Sequence, residues 1–287
     1  TKWSNNDIYG LGVYKNKTKN LRWDIQASGK LFLSGYHAGD YEAQFSLSSL
    51  INKKGDQLAL WVQNSNRTPS FNRLGITAFP ILRIATIDKE NIIELGAMWN
   101  QKSHGLTASF QYKLIQNFQY FGSGFQPMVY DKVLSYVKGT VSNQMKLSRH
   151  WNWYNELTLQ LVDPNAPLHL PVIFTRQRLA FEGNFFKNLF LSTGLEVIYH
   201  SSFQPDGYMP LNGQFYLQDQ FTANNRPIAN AFLNFRIKRF KGFIRMEQLN
   251  TLLATSNQLG TRYHFTAPNY PGTGTWLRVG IWWNFIN

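Results

Sequence analysis

Leu21-Arg-Trp-Asp-Ile-Gln-Ala-Ser-Gly-Lys-Leu-Phe-Leu33 puts Leu21, Trp23, Ile25, Ala27, Gly29, Leu31 and Leu33 at odd positions, against Arg22, Asp24, Gln26, Ser28, Lys30 and Phe32 at even ones. Side chains of an extended chain point alternately to opposite faces, so this stretch reads as a strand with one apolar and one polar face. The pattern returns at Tyr41, Ala43, Phe45 and Leu47 against Glu42, Gln44, Ser46 and Ser48, and at Leu106, Ala108, Phe110, Tyr112 and Leu114 against Thr107, Ser109, Gln111 and Lys113. It recurs at Leu157, Leu159 and Leu161 and at Leu233, Phe235 and Ile237. Nowhere does a helical period hold through two turns. The chain reads as all-β, built of antiparallel strands whose two faces meet different media.

Turn signals divide the chain into about 15 strands, at 7–14, 20–34, 40–50, 57–63, 74–85, 91–99, 104–114, 116–122, 131–147, 151–163, 171–184, 188–200, 228–239, 242–250 and 274–286. One set of connections is short and polar: 15–19, 52–56, 88–91, 148–152, 185–188 and 239–242. The other set is long: 64–73, 122–131, 163–171, 201–227 and 251–273. Short turns on one rim and long loops on the other predict a transmembrane antiparallel up-and-down β-barrel of about 14–16 strands in this chain, with residues 1–287 forming a single domain. A single-chain barrel that starts and ends in the periplasm needs an even strand number. The odd count points either to a miscounted hairpin near Leu114–Phe121 or to strands that precede Thr1, which would make this chain part of a larger barrel.

The 287 residues carry 29 Lys+Arg against 16 Asp+Glu, a net charge of +13, with no cysteine. The lack of cysteine excludes disulfide scaffolds, thiolate metal sites and cysteine nucleophiles. No apolar run of about 18 residues is present, so no transmembrane helix is expected. Turning the polar faces inward lines a lumen with Arg22, Lys30, Lys113, Lys138, Lys146, Arg176, Arg178, Arg236, Lys238, Arg245 and Arg278, beside Asp24, Glu42, Glu182, Glu196 and Glu247. Such an excess of fixed cation favours anions, unless opposite charges pair across strands and only brace the wall. Lys15, Lys17, Lys19, Lys53 and Lys54 fall at the short turns and suit periplasmic components or lipid headgroups. The basic residues form no helical stripe, so nucleic acid is not an expected partner.

No catalytic constellation is recognisable. The six histidines, His37, His104, His150, His169, His200 and His264, make no metal-ligand pair at i, i+2 or i+4. His200 and Ser201 are adjacent on a strand and so point apart, which excludes them as base and nucleophile. Gly10 and Gly12 lie within a strand pattern and read as room for close packing, not as a phosphate loop. The chain is not expected to be an enzyme or to need a cofactor. The 201–227 connection carries Phe203, Tyr208, Phe215 and Tyr216, too aromatic to hang free in water, and reads as a plug folded into the lumen or a contact surface. In the last strand Leu277, Val279, Ile281, Trp283 and Phe285 share one face, and the terminal aromatics Trp283 and Phe285 read as the signal for β-barrel assembly machinery. Large aromatics at many strand ends, among them Trp23, Tyr41 and Trp99, suit the girdles of an outer-membrane barrel.

The stretch Gly194-Leu-Glu-Val-Ile-Tyr-His-Ser-Ser-Phe-Gln-Pro-Asp-Gly-Tyr-Met-Pro-Leu-Asn-Gly-Gln-Phe-Tyr-Leu-Gln218 resembles the signature of the putative porin family of Bacteroidetes outer membranes. Gly35–Tyr41, Asn117–Phe121, Leu170–Arg176, Leu233–Arg239 and Thr266–Pro271 are further pieces similar to that family, in its order. Its members are usually about twice as long, and this chain resembles their C-terminal half. The resemblance implies a Gram-negative outer-membrane barrel in contact with lipid and lipopolysaccharide. Two functions follow as expectations. One is a porin-like passage for small solutes, with an anionic preference. The other is a non-conducting barrel subunit of a larger complex with other outer-membrane proteins.

Overall fold

The computed structural model describes residues 6–17, 23–70, 73, 88–211, 213–224, 226–252 and 264–284. Its strands are β1 (Ile8–Lys17), β2 (Trp23–Ser34), β3 (Tyr41–Leu50), β4 (Gln57–Arg67), β5 (Glu90–Gln101), β6 (Leu106–Gln116), β7 (Gln119–Phe121), β8 (Pro127–Val129), β9 (Leu134–Lys146) and β10 (Trp151–Val162). They continue as β11 (Ile173–Phe185), β12 (Leu189–His200), β13 (Gly207–Met209), β14 (Gln214–Tyr216), β15 (Ile228–Ile237), β16 (Phe240–Glu247), β17 (Phe265–Ala267), β18 (Tyr270–Pro271) and β19 (Trp276–Trp283).

A 13-stranded antiparallel sheet runs β1-β2-β3-β4-β5-β6-β9-β10-β11-β12-β15-β16-β19, each strand pairing with the next sheet strand in sequence. The sheet is not closed: β1 and β19 form its two edges. The remaining strands form three small hairpins, β7–β8, β13–β14 and β17–β18, each set within a connection.

One of the strands expected from sequence does not enter the sheet. The 116–122 stretch mostly becomes β7, one arm of a loop hairpin, because Asn117 takes a left-handed φ of 55° and turns the chain out of β6. The expected strand at 74–85 lies outside the described residues, and β4 pairs directly with β5, Arg67 opposite Glu90. That direct pairing also moves 88–91 from the short connections to a long one.

One edge of the sheet then carries the short turns 51–56, 102–105, 147–150, 186–188 and 238–239, and the other carries 35–40, 68–89, 117–133, 163–172, 201–227 and 248–275. Each β-strand pair is joined by whichever connection its edge allows, so the two rims differ in kind around the whole sheet.

The cross-strand register assigns the faces. Directly opposed residues of an antiparallel pair share a face. Following the pairs from β2 to β19, every charged strand residue falls on one face, from Asp24 and Lys30 through Glu94, Lys113, Lys138, Arg178 and Glu196 to Arg245 and Arg278. The opposite face holds Leu31, Phe45, Leu95, Phe110, Leu159, Leu195, Ile244 and Val279 and carries no charge among the described residues.

Strand β1 inverts this order: Leu11 opposes Lys30 and Val13 opposes Ser28, which turns its apolar side chains to the polar face, after a register shift at Ile8/Tyr9. Gly10 and Gly12 fall on the other face, and a Cβ at either would meet nothing within 4 Å, so they do not serve close packing.

Candidate functional site

The polar face is densest where β11, β12, β15, β16 and β19 lie side by side. Alternation places Arg176 and Arg178 on β11, Glu196 on β12, Asn230 on β15, Arg245 and Glu247 on β16 and Arg278 on β19, all on this face. Glu196, 3% exposed, is the pivot. Its Oε2 accepts from Arg176 Nη2 at 2.5 Å and Nε at 2.8 Å, and its Oε1 accepts from Arg245 Nη2 at 2.6 Å and Asn230 Nδ2 at 3.3 Å. Arg245 Nε lies 3.2 Å from Glu247 Oε1, and Arg278 Nη2 lies 3.2 Å from Glu247 Oε2. Charge thus alternates Arg176–Glu196–Arg245–Glu247–Arg278 across the strands. A carboxylate this buried needs its lone pairs filled, and two guanidinium groups fill them.

Beside this chain the Arg178 guanidinium sits over the rings of Tyr154 and Phe232, at 5.2 and 4.3 Å from their centroids, and donates to Ser192 Oγ at 3.3 Å. Ser192 and Tyr154 both donate to Glu182, which holds Arg178 at 3.8 Å. Two adjoining cavities open here. One, of about 310 Å³, is lined by Ser142, Gln144, Tyr154, Glu156, Arg176 and Arg178, and the other, of about 280 Å³, by Arg176, Arg178, Glu196, Phe232, Phe243 and Arg245. An arginine with its planar fork presented to water is suited to brief contacts with carboxylates and phosphates.

Elsewhere on the face, Lys113 pairs with Glu94 at 2.9 Å, and Trp61 Nε1 also donates to Glu94. Lys30 lies over the Tyr9 and Phe32 rings at 4.2 and 4.5 Å. Lys138 stands between Gln111 and Gln160, and Arg236 packs over Phe190 at 5.4 Å; neither forms an ion pair with a described residue. Lys238 is not on the wall. It occupies the tight turn between β15 and β16 with φ 51°, because the strand ends at Ile237. Arg22 lies outside the described residues.

Sequence reading missed Glu94 and Lys241 on the same face. Lys241 continues the alternation by an even step, four residues before Arg245, and Glu94 alternates with Ile93 and Leu95 on β5. Trp283 lies on the uncharged face, edge-on to Phe240 at 6.0 Å, while Phe285 lies outside the described residues. Among the described residues no group of three or more His, Asp or Glu is placed to hold a metal. The Ser201 hydroxyl accepts from the Ile173 amide, and the His200 ring faces the Ser201 carbonyl.

The long loops fold on one another. Tyr208 and Phe215 oppose each other in the β13–β14 hairpin, and Tyr216 meets Phe125 of the neighbouring connection edge-on at 4.6 Å. The Leu217 amide donates to the Phe121 carbonyl, Tyr208 meets Tyr270, and Phe221 meets Phe265. Phe203 forms an isolated bridge with Ala223 at the base. These contacts join three loops into one canopy.

Across the same rim, Asp40 ties the 35–40 turn to its neighbours, accepting from Thr68 Oγ1 at 2.7 Å and Lys89 Nζ at 2.8 Å. Burial alone would raise its carboxyl, but Lys89, Thr68 and His37 outweigh that and hold it below the usual range. In the canopy burial pushes the His264 ring below the ordinary histidine value, and His200 adds to the shift.

The sheet has its fold in common with solved transporters. The copper transporter OprC matches at TM-score 0.65 and 12% identity over 95% of this chain and 47% of that one. The FrpB iron transporter from Neisseria meningitidis matches at 0.60 and 9% over 96% and 44%. The ferric enterobactin receptor PfeA matches at 0.60 and 13% over 95% and 45%. The chain thus spans somewhat under half the length of these relatives in fold. None of the curated proteins matches it. The family described as putative porin matches residues 1–287, the whole chain, and a one-sided charged sheet with its loops gathered at one rim is therefore the wall of a member of the putative porin family.

Proposed function

We propose that this chain builds the wall of a porin-like outer-membrane β-barrel whose polar face lines an aqueous passage for small anions. One observation carries the reading: each charged strand residue from β2 to β19 falls on one face and none on the other. Hydrocarbon cannot solvate ions or unpaired backbone groups, whereas a paired sheet with an uncharged face meets both demands. Basic residues outnumber acidic ones on the polar face, and Lys138 and Arg236 hold no described carboxylate partner, so the surplus field is positive. The reading is non-catalytic, places the protein in a Gram-negative outer membrane among lipid and lipopolysaccharide, and makes the barrel assembly machinery its partner in insertion.

The test is the reversal potential of purified full-length protein in a planar bilayer under a KCl gradient. An anion-selective conductance is expected. Cation selectivity would overturn the anion preference, and no conductance would overturn the passage.

A second reading has its own support. The canopy presents Leu211, Phe215, Phe125 and Tyr270 at 76%, 59%, 41% and 39% exposure, an apolar surface suited to another outer-membrane protein. A silent bilayer together with a stable co-purifying membrane partner would favour this non-conducting role.

A further inference from the structure

We propose that the polar face carries, toward its short-turn edge, a binding site for an aromatic carboxylate, with the ring against Phe190, Phe243 and Trp282 and the carboxylate on Arg236 and Lys241. The site deepens the passage reading by naming a solute class, and rests on it only for access from water.

Register brings Phe190, Arg236, Lys241 and Trp282 into one rung across β12, β15, β16 and β19, with Phe243 and Gly280 in the next. Together they line a cavity of about 450 Å³. Its lining is mainly apolar. Phe243 lies across Gly280, where a Cβ would come within 2.2 Å of Phe243 Cε1, so only glycine leaves that ring flat against the backbone.

The charges differ from those a few residues along the same strands. Arg176, Arg245 and Arg278 are neutralised by Glu196 and Glu247, but Arg236 and Lys241 have no described carboxylate within ion-pair distance. They lie instead over Phe190 at 5.4 Å and Trp282 at 4.9 Å. Two cations without counter-charge beside three rings are complementary to a flat apolar body bearing one anionic group. A simple inorganic anion would use the cations and leave the rings idle; a neutral ring would do the reverse.

Isothermal titration of full-length protein in nonionic detergent, blanked against empty micelles, tests this with 2-naphthoate, acetate and 2-naphthalenemethanol as probes. Naphthoate should bind at least about tenfold more tightly than either of the others, and the double variant Arg236→Gln/Lys241→Gln should lose about tenfold of its affinity, while Lys54→Gln, at an exposed position in the 51–56 turn, leaves it unchanged. Equal binding of acetate, equal binding of the neutral alcohol, or an unaffected double variant would overturn the site. If the double variant does not fold, judged by heat-modified gel mobility, the three-probe comparison on the unaltered protein still decides. Naphthoate binding without bilayer conductance retires the passage and keeps the site, whereas conductance without naphthoate binding retires the site alone.

Discussion

The wall and the loop canopy of this protein solve the same physical problem in opposite ways. In the canopy and at its foot, Phe121, Leu134, Ala166, Ala223 and Ala267 are all buried, as apolar groups are in any water-soluble core. In the wall the large apolar side chains stay open: Leu195 is 56% exposed, Val279 66% and Ile281 73%, while Glu196 is buried. An inside-out wall beneath a conventional core means that the two parts are solvated differently, the wall by hydrocarbon and the canopy by water. Cohesion differs accordingly. The wall is held by continuous backbone pairing and by the Arg–Glu chain on its polar face, the canopy by ring contacts and side-chain hydrogen bonds such as those of Gln218, and the loops across the rim by Asp40.

Removing the pivot of the wall should have the largest effect. Glu196→Ala strips Arg176 of its counter-charge and leaves Arg245 with Glu247 alone, and a loss of about 3–5 kcal/mol is expected in urea unfolding of vesicle-inserted protein. A change under about 1 kcal/mol would show that the network is incidental to the wall.

Next comes a charge placed on the other face. Leu195→Arg, halfway along β12, should cost about 2–4 kcal/mol in the bilayer. The same residue is exposed in the isolated chain, so a neutral outcome would mean that this face does not meet lipid.

The loop rim should respond to acid more than the wall does. Asp40, held below its unfolded value, contributes stability that is complete above roughly pH 4 and is lost as pH falls through its depressed folded value. His264, also lowered, favours the folded loop fully above about pH 6.5 and progressively less below it. Hydrogen exchange should therefore quicken first around His264 and, at lower pH, at the Thr68 amide, with the amides of β10–β12 unchanged. Asp40→Asn should bring the Thr68 effect to neutral pH, at a cost of about 1–3 kcal/mol.

The smallest effect is expected at the hairpin tip. Phe215→Ala, at a 59% exposed site, should leave stability within about 0.5 kcal/mol in the same urea assay. A larger loss would mean that the tip is covered, which would favour the interaction role.

Much of the wall was legible in advance because alternation is a local property. The pairs Trp23/Asp24, Phe110/Gln111, Leu195/Glu196 and Leu277/Arg278 report their faces from sequence spacing alone, and the sorting of short turns from long loops follows from the chain's direction at each end. Strand β1 shows the limit. Its Leu11 and Val13 alternate as well as any others, yet period 2 does not say which face is which, and the register beside Gly29 turns them to the polar side. The 116–122 stretch misled for a related reason: apolar residues also build loop hairpins, and the left-handed Asn117 that separates β6 from β7 has no signature in hydrophobic pattern. Counting polar-face charges from sequence found the arginines but not their neutralisation, because Arg176, Glu196 and Arg245 are joined only by pairing across β11, β12, β15 and β16. The loop contacts Phe125–Tyr216 and Phe221–Phe265 connect segments far apart in the chain, and nothing local encodes them.

Because the chain contains no cysteine, its two faces can be read by single-cysteine labelling. Cysteines placed one at a time from Ala108 to Lys113 on β6, in protein inserted into lipid vesicles, carry a nitroxide whose relaxation is measured with oxygen and with a water-soluble nickel chelate. The predicted result is strict alternation: oxygen-accessible at 108, 110 and 112, and chelate-accessible at 109, 111 and 113. Uniform accessibility, or the inverse phase, would contradict the assignment of the charged face to water and the uncharged face to lipid.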